Sequence, residues 1–128
     1  CAVLFFDLDH FKALNDSYGH TAGDAVLREV AVIARGALRG VDLLGRWGGE
    51  EFVAILYNVT QDSLLRIAEK LRAMIANSTI RINEKNVSVT VSIGAALARE
   101  NDTLETLVER ADRLMYRSKR EGRNRVSV

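Results

Sequence analysis

Proline is absent from all 128 residues, and cysteine occurs once, as Cys1. Without proline, chain reversals and helix ends must be marked by glycine and by polar residues. A single cysteine excludes an internal disulfide and any cysteine-based zinc site. His10 and His20 are the only histidines, too few for a histidine metal cluster. A metal here would need oxygen ligands, which favours Mg²⁺ or Mn²⁺. Neither sign of charge dominates: 18 Lys and Arg stand against 17 Asp and Glu, for a net +1. That balance gives no general reason to expect DNA or RNA as a partner. No apolar run approaches the roughly 20 residues of a membrane span, and no signal peptide is visible. The sequence therefore reads as cytoplasmic, with any membrane anchor lying elsewhere in a full-length protein. What remains is ordinary for a globular chain, with 48% hydrophobic and 27% charged residues, and the length suits one domain over residues 1–128. The chain opens inside an apolar run and lacks an initiator Met, the pattern of a piece of a longer multidomain protein.

Ala2-Val3-Leu4-Phe5-Phe6, ending at Asp7, reads as a buried central strand. Asp9 is placed to cap a short helix running to about Tyr18, with Gly19 as its stop. A second helix is expected from about Ala22 to Leu38, because Val26, Leu27, Val30, Ile33, Ala34, Ala37 and Leu38 keep the spacing of one face; Gly40 ends it. Leu43–Trp47 and Phe52–Tyr57 form a hairpin about Gly48-Gly49, a pair suited to the positive φ of a tight primed turn. A third helix spans about Gln61–Ala76. Alternation predicts a second hairpin from Ile80 and Ile82 to Val87, Val89, Val91 and Ile93. A last helix covers about Thr103–Arg120, and Asn124–Val128 suits a short edge strand. The order β-α-α-β-β-α-β plus an extra hairpin predicts an α+β domain, with a mainly antiparallel central sheet covered by helices.

Two carboxylates, Glu50 and Glu51, follow the glycine pair directly. If the first strand pairs antiparallel with the strand after the turn, Asp7 and Asp9 come alongside them. Four like charges at one sheet end repel unless one keeps its proton or a cation lies among them. Two metals held by carboxylates about a phosphate ester is a recurring phosphoryl-transfer arrangement. The alternative is two unrelated acidic turns. Positive partners for a phosphate are at hand in Lys12 and in Arg117, Lys119, Arg120, Arg123 and Arg125, although cations at a helix end also serve solvation alone. No aromatic falls between Arg117 and Arg125, which removes the stacking platform that single-stranded nucleic acid needs. Residue types and spacing alone carry the reading as far as a metal-dependent nucleotidyl transferase.

Together, Phe6-Asp7-Leu8-Asp9-His10-Phe11-Lys12-Ala13-Leu14-Asn15-Asp16, Tyr18-Gly19-His20-Thr21-Ala22-Gly23-Asp24 and Arg46-Trp47-Gly48-Gly49-Glu50-Glu51-Phe52 closely resemble the GGDEF domain of diguanylate cyclases, in its GGEEF form. Val89-Thr90-Val91-Ser92-Ile93-Gly94, Ala111-Asp112, Tyr116, Lys119 and Gly122-Arg123-Asn124 extend the likeness over essentially the whole chain. The resemblance implies a nucleotidyl-cyclase, ferredoxin-like palm that starts here after the family's upstream helical segment. It implies condensation of two GTP into cyclic di-GMP and two pyrophosphates across a homodimer, under the control of a sensory or receiver domain. Asp7, Glu50 and the Leu8 carbonyl are then metal ligands. Glu51 is either a further ligand or the group that helps deprotonate the 3′-hydroxyl, which makes Asp7, Glu50 and Glu51 the catalytic set. Asn15 and Asp24 are expected on the guanine edge. Lys12, Lys119 and Arg123 are expected on phosphates, with backbone N–H groups near His10 and Phe11. Gly48 and Gly49 leave room for the nucleotide, and Asp9 takes a supporting role. Arg39 and Asp42, an Arg-x-x-Asp five residues before the glycine pair, correspond to an inhibitory product site. There Lys70 stands where an Arg is usual and, lacking the guanidinium fork, implies weaker product binding. A non-catalytic module binding GTP or cyclic di-GMP, or a dimerisation module with a structural nucleotide, is the competing reading.

Overall fold

The computed structural model describes residues 1–128. Strand β1 (Ala2–Leu8) is buried along its whole length and is the middle strand of a five-stranded sheet ordered β2-β3-β1-β6-β7. Its continuous apolar run is what a strand covered on both faces requires. Helices α1 (Phe11–Tyr18) and α2 (His20–Ala37) follow, then the hairpin β2 (Leu43–Gly48) and β3 (Glu51–Leu56) and helix α3 (Gln61–Ala76). The short pair β4 (Ile80–Ile82) and β5 (Lys85–Val87) forms a separate two-stranded sheet. Strand β6 (Val91–Leu97), helix α4 (Leu104–Arg120) and strand β7 (Arg125–Ser127) complete the chain. All pairings in the main sheet are antiparallel except β6 with β7. The architecture is thus the expected mostly antiparallel α+β sheet with its extra hairpin.

The side-chain period of two divides β1 between two cores. Leu4, Phe6 and Leu8 join the larger cluster with Val26, Val30, Leu64, Leu71 and Ile75 from α2 and α3. Val3 and Phe5 join a smaller one with Val108, Ala111 and Met115 from α4. Each fully buried Leu or Phe contributes about 2–3 kcal/mol of transfer free energy. Gly94 on β6 brings α4 close: a Cβ there would lie 2.0 Å from the Ala111 carbonyl oxygen and 2.4 Å from the Met115 nitrogen. Helices α3 and α4 begin at the expected places, each on a threonine capping box, Thr60 with Ser63 and Thr103 with Thr106.

Local expectations fail in three places. Gly48 and Gly49 do not adopt positive φ. The hairpin closes with Gly48 opposite Glu51 and a register shift between Arg46 and Gly48, so a bulge supplies the twist that an unprimed turn lacks. The two-residue turn with positive φ lies instead at Asn83 (φ 50°) and Glu84 (φ 67°), between β4 and β5. The run from Val87 to Ile93 is not one strand, because it leaves the small hairpin and enters the main sheet only at Val91. Asp9 does not cap α1: the N-cap is His10, in the left-handed region and without a side-chain cap. The Asp9 carboxylate turns inward, where stronger donors wait.

Candidate functional site

The antiparallel register of β1 and β3 sets Asp7 opposite Glu51, and the Leu8 N–H donates across to the Glu50 carbonyl at 3.4 Å. The expected meeting of Asp7 with Glu50 and Glu51 therefore occurs at the β1 end of the hairpin. Asp7 lies on the α4 face, since Val3 and Phe5, four and two residues before it, pack there. Burial is the largest influence on the Asp7 carboxyl, which is pushed up to about 7; Glu50 and Glu51 push the same way and Lys119 opposes them. Burial, then Asp112 and Glu50, raise Glu51, again against Lys119. Burial also raises Asp112. This is an acidic edge short of positive charge.

Lys119, near the end of α4, is the cation at hand. Its Nζ stands 3.5 Å from Asp7 Oδ1 and 3.3 Å from Asp9 Oδ1. Asp7 Oδ1 is nevertheless buried with no hydrogen-bond partner, as is Asp112 Oδ1. Asp9 is provided for differently. Thr90 Oγ1 and Ser92 Oγ each donate to it at 2.6 Å, and the Asn124 N–H at 3.0 Å. Burial alone would raise the Asp9 carboxyl, but these donors and Lys119 hold it below the usual range. Asp9 thus ties the ends of β1, β6 and β7 together, the supporting role expected of it.

No three acidic or histidine side chains close into a ready metal cage; the Lys119 ammonium lies near the acidic edge instead. The donor set still suits a hard divalent cation. Asp7 and Glu50 are carboxylates, Asp7 carries an orphaned buried oxygen, and their mutual repulsion is what a cation would relieve. Arg46, two residues before Gly48, donates through Nε and Nη2 to the Gly49 carbonyl at 2.9 and 2.6 Å, fixing the turn that presents Glu50. A Cβ on Gly49 would meet nothing within 4 Å, and one on Gly48 only Glu51 Oε1 at 3.6 Å. Neither backbone angle nor packing within the chain demands these glycines.

The remaining expected residues fall into two groups. Asn15 on α1 lies against Gly23 of α2, next to the exposed Asp24. His10, Lys12 and Arg123 are exposed, with Phe11 half-buried. Away from the acidic edge, Arg39 and Asp42 pair with each other. Arg39 Nε and Nη2 donate to the two Asp42 oxygens at 3.0 and 2.8 Å, the Arg39 N–H donates to Oδ2 at 2.8 Å, and Nη2 also reaches the Tyr57 carbonyl at 2.7 Å. Burial would raise Asp42, but these bonds hold it low. Arg35, one helical turn earlier, forks onto the Asp42 carbonyl at 2.7 Å and onto the Arg39 carbonyl. Lys70 is exposed on α3 and takes part in no hydrogen bond or ion pair with this turn. Sequence reasoning gave Asp112, Arg35 and Arg46 no task. For the two arginines the available signal is spacing, four residues before Arg39 and two before Gly48. For Asp112 it is an acidic residue on an otherwise basic helix end, seven residues before Lys119.

Fold and edge together define a class: an α+β palm with carboxylates on adjacent antiparallel strands and a lysine held over them. The family described as "Diguanylate cyclase, GGDEF domain" matches residues 1–125, and the chain belongs to it. It is 41% identical over 128 residues to Diguanylate cyclase A of Treponema denticola, covering 99% of this chain and 34% of that protein. Among solved structures it resembles the GGDEF domain of YfiN (TpbB) from Pseudomonas aeruginosa, with TM-score 0.94, 42% identity, and 98% and 80% of the two chains covered. It also resembles the GGDEF domain of DgcB from Caulobacter crescentus in complex with c-di-GMP, with TM-score 0.92, 32% identity, and 98% and 75% covered. The chain spans about a third or less of the length of the first curated relatives it matches. No helix is long and apolar enough to cross a membrane.

Proposed function

We propose that two copies of this domain face each other, each holding one GTP, and condense the pair into cyclic di-GMP with release of two pyrophosphates. Each 3′-hydroxyl oxygen attacks the α-phosphorus of the opposite nucleotide, the bond from that phosphorus to the pyrophosphate oxygen breaks, and the hydroxyl proton leaves to a base. The observation that carries this reading is the acidic edge. Asp7 is raised to about 7 among Glu50, Glu51 and a single lysine, within a chain of the diguanylate cyclase family.

Asp7, Glu50 and the Leu8 carbonyl would hold Mg²⁺ or Mn²⁺. When bound, such an ion supplies Lewis-acid stabilisation of charge on the phosphoryl oxygens. Glu51, raised by burial and by Asp112, is suited to a further ligand position or to taking the 3′-hydroxyl proton. Lys119, Lys12 and Arg123 hold phosphates, joined by backbone N–H groups at His10 and Phe11, where α1 begins. Glycine at 48 and 49 leaves open space where a side chain would stand, which supports a nucleotide passing over the turn. Asn15 and Asp24 read the guanine edge: the carboxylate accepts from N1–H and the amino group, a pattern adenine lacks. Arg39 and Asp42 form the inhibitory product site with Lys70 at its side. Partner domains that bring two copies together fit a chain about a third the length of its relatives.

The test is turnover of GTP with Mg²⁺ across a protein dilution series. Cyclic di-GMP and pyrophosphate should form, with a rate rising more steeply than linearly in protein because neither copy is complete alone. A linear dependence would remove the two-copy site. Binding without product at any concentration would replace the cyclase by a regulatory module that binds GTP or cyclic di-GMP.

A further inference from the structure

The turn after α4 carries three consecutive residues at positive φ: Gly122 (126°), Arg123 (65°) and Asn124 (48°). Glycine and asparagine tolerate such angles, but a long side chain such as Arg123 adopts them under strain. A strained backbone persists only where its surroundings over-determine it. Two holds come from the site itself. The Arg123 N–H donates to the Ser118 carbonyl at 2.9 Å, and the Asn124 N–H donates to Asp9 Oδ2 at 3.0 Å. The other Asp9 oxygen faces Lys119 Nζ at 3.3 Å, so this turn stands beside the cation of the acidic edge. A third hold comes from outside. Arg72, late in α3, donates through Nη1 to Asn124 Oδ1 at 2.8 Å. Its Nε donates to Glu69 Oε1 at 2.7 Å, one helical turn back. The guanidinium thus spans two acceptors with separate arms, which a lysine cannot do, and only 20% of the Arg72 side chain is exposed. The Arg123 side chain, by contrast, is exposed and takes part in no ion pair within the chain.

We infer that Arg72 is a positioning residue for phosphate binding. By gripping the Asn124 amide it keeps the neighbouring Arg123 at its unfavourable backbone angle, and that angle is what directs the free guanidinium toward a nucleotide phosphate. The inference rests on the proposed placement of Arg123 at the phosphates. It goes further in giving that contact a support on α3, in a residue that touches no substrate. Glu69 contributes by orienting Arg72 from the same helix. A mere tie between α3 and the last turn would act on stability alone, whereas a positioning role acts through Arg123 and on ligands that carry phosphate.

The test is titration of GTP, and of guanosine as a probe without phosphate, into the parent, Arg72→Met, Arg123→Ala and the double variant. Methionine keeps the stem and suits a helix but donates nothing, so Arg72→Met should melt close to the parent. Its GTP affinity should fall about threefold to tenfold, part of the loss of one charge-assisted hydrogen bond. Its affinity for guanosine should be unchanged. In the Arg123→Ala background, Arg72→Met should add no further loss of GTP affinity. An equal loss for GTP and guanosine, or losses that add in the double variant, would give Arg72 a role apart from Arg123 and overturn the inference. If Arg123→Ala leaves GTP affinity intact, the phosphate placement of Arg123 falls and the inference falls with it. If Arg123→Ala weakens GTP binding while Arg72→Met does not, only the inference about Arg72 fails. Should Arg72→Met not fold, Asn124→Gly decides. Glycine takes the positive φ freely and removes the Oδ1 that Arg72 grips. Its GTP affinity should fall by a similar factor, again with nothing added beside Arg123→Ala, and parent-like affinity overturns the inference.

Discussion

Asp7 binds its proton more tightly in the folded chain than in the open one, because burial and two neighbouring glutamates disfavour its charge. Between its ordinary value of 3.8 and about 7 the fold holds a proton that the unfolded chain has released. Stability therefore falls as pH rises through that window. Glu51 and Asp112 are raised as well and act in the same direction. Asp9 and Asp42 are held low, so their contribution is present at neutral pH and is lost only on acidification. At about 1.4 kcal/mol per pH unit, the ionised Asp7 costs the metal-free fold at most on the order of 4 kcal/mol. Asp7→Asn should accordingly be more stable than the parent at pH 8 in a chelating buffer, by a good part of that figure, and should show a flatter profile between pH 5 and 8. Urea midpoints at the two pH values check this; a parent profile already flat would contradict it.

At the scale of elements, the turn from Arg39 to Asp42 is held from both sides. The two side chains pair with each other, and Arg35 from the preceding helical turn gathers the carbonyls at its ends. Arg39→Ala should raise the concentration of cyclic di-GMP needed for half inhibition by about tenfold or more, consistent with loss of a charge-assisted forked contact. Initial rates with added product measure it, and unchanged inhibition would move the product site elsewhere. The same scale explains what could be read in advance. Helix α3 and the start of α4 were legible from their apolar period, with which the threonine caps of the structure agree. The meeting of Asp7 with Glu51 was legible because one antiparallel pairing fixes it. The glycine pair was misleading, since glycine marks either a backbone angle or an empty volume and the sequence does not say which. Asp9 was misread as a cap for a related reason. Its partners Thr90, Ser92 and Asn124 are 81 or more residues away, beyond any local pattern.

Across the whole molecule, α4 links the sheet to the site. It lies on β6 closely enough that Gly94 has no room for a methyl group, and the obstructing atoms are backbone. Gly94→Ala should cost about 3 kcal/mol, the upper part of the range for overpacking. It should also weaken GTP binding in whatever fraction stays folded, because Asp112 and Lys119 ride on the displaced helix. Denaturant midpoints and nucleotide titration report the two effects; retained stability would mean that α4 shifts freely.

Lys119 gives the assembly a final property. Its ammonium is a counterion tethered to the fold, shared between Asp7 and Asp9. On the proposed reading, drawing it toward a nucleotide phosphate would uncover negative charge on Asp7, where a divalent ion would be most welcome. An ion held first would free the lysine for the phosphate. By linkage, each ligand would then strengthen the other by the same factor. A single side chain would thus make nucleotide and metal cooperative partners.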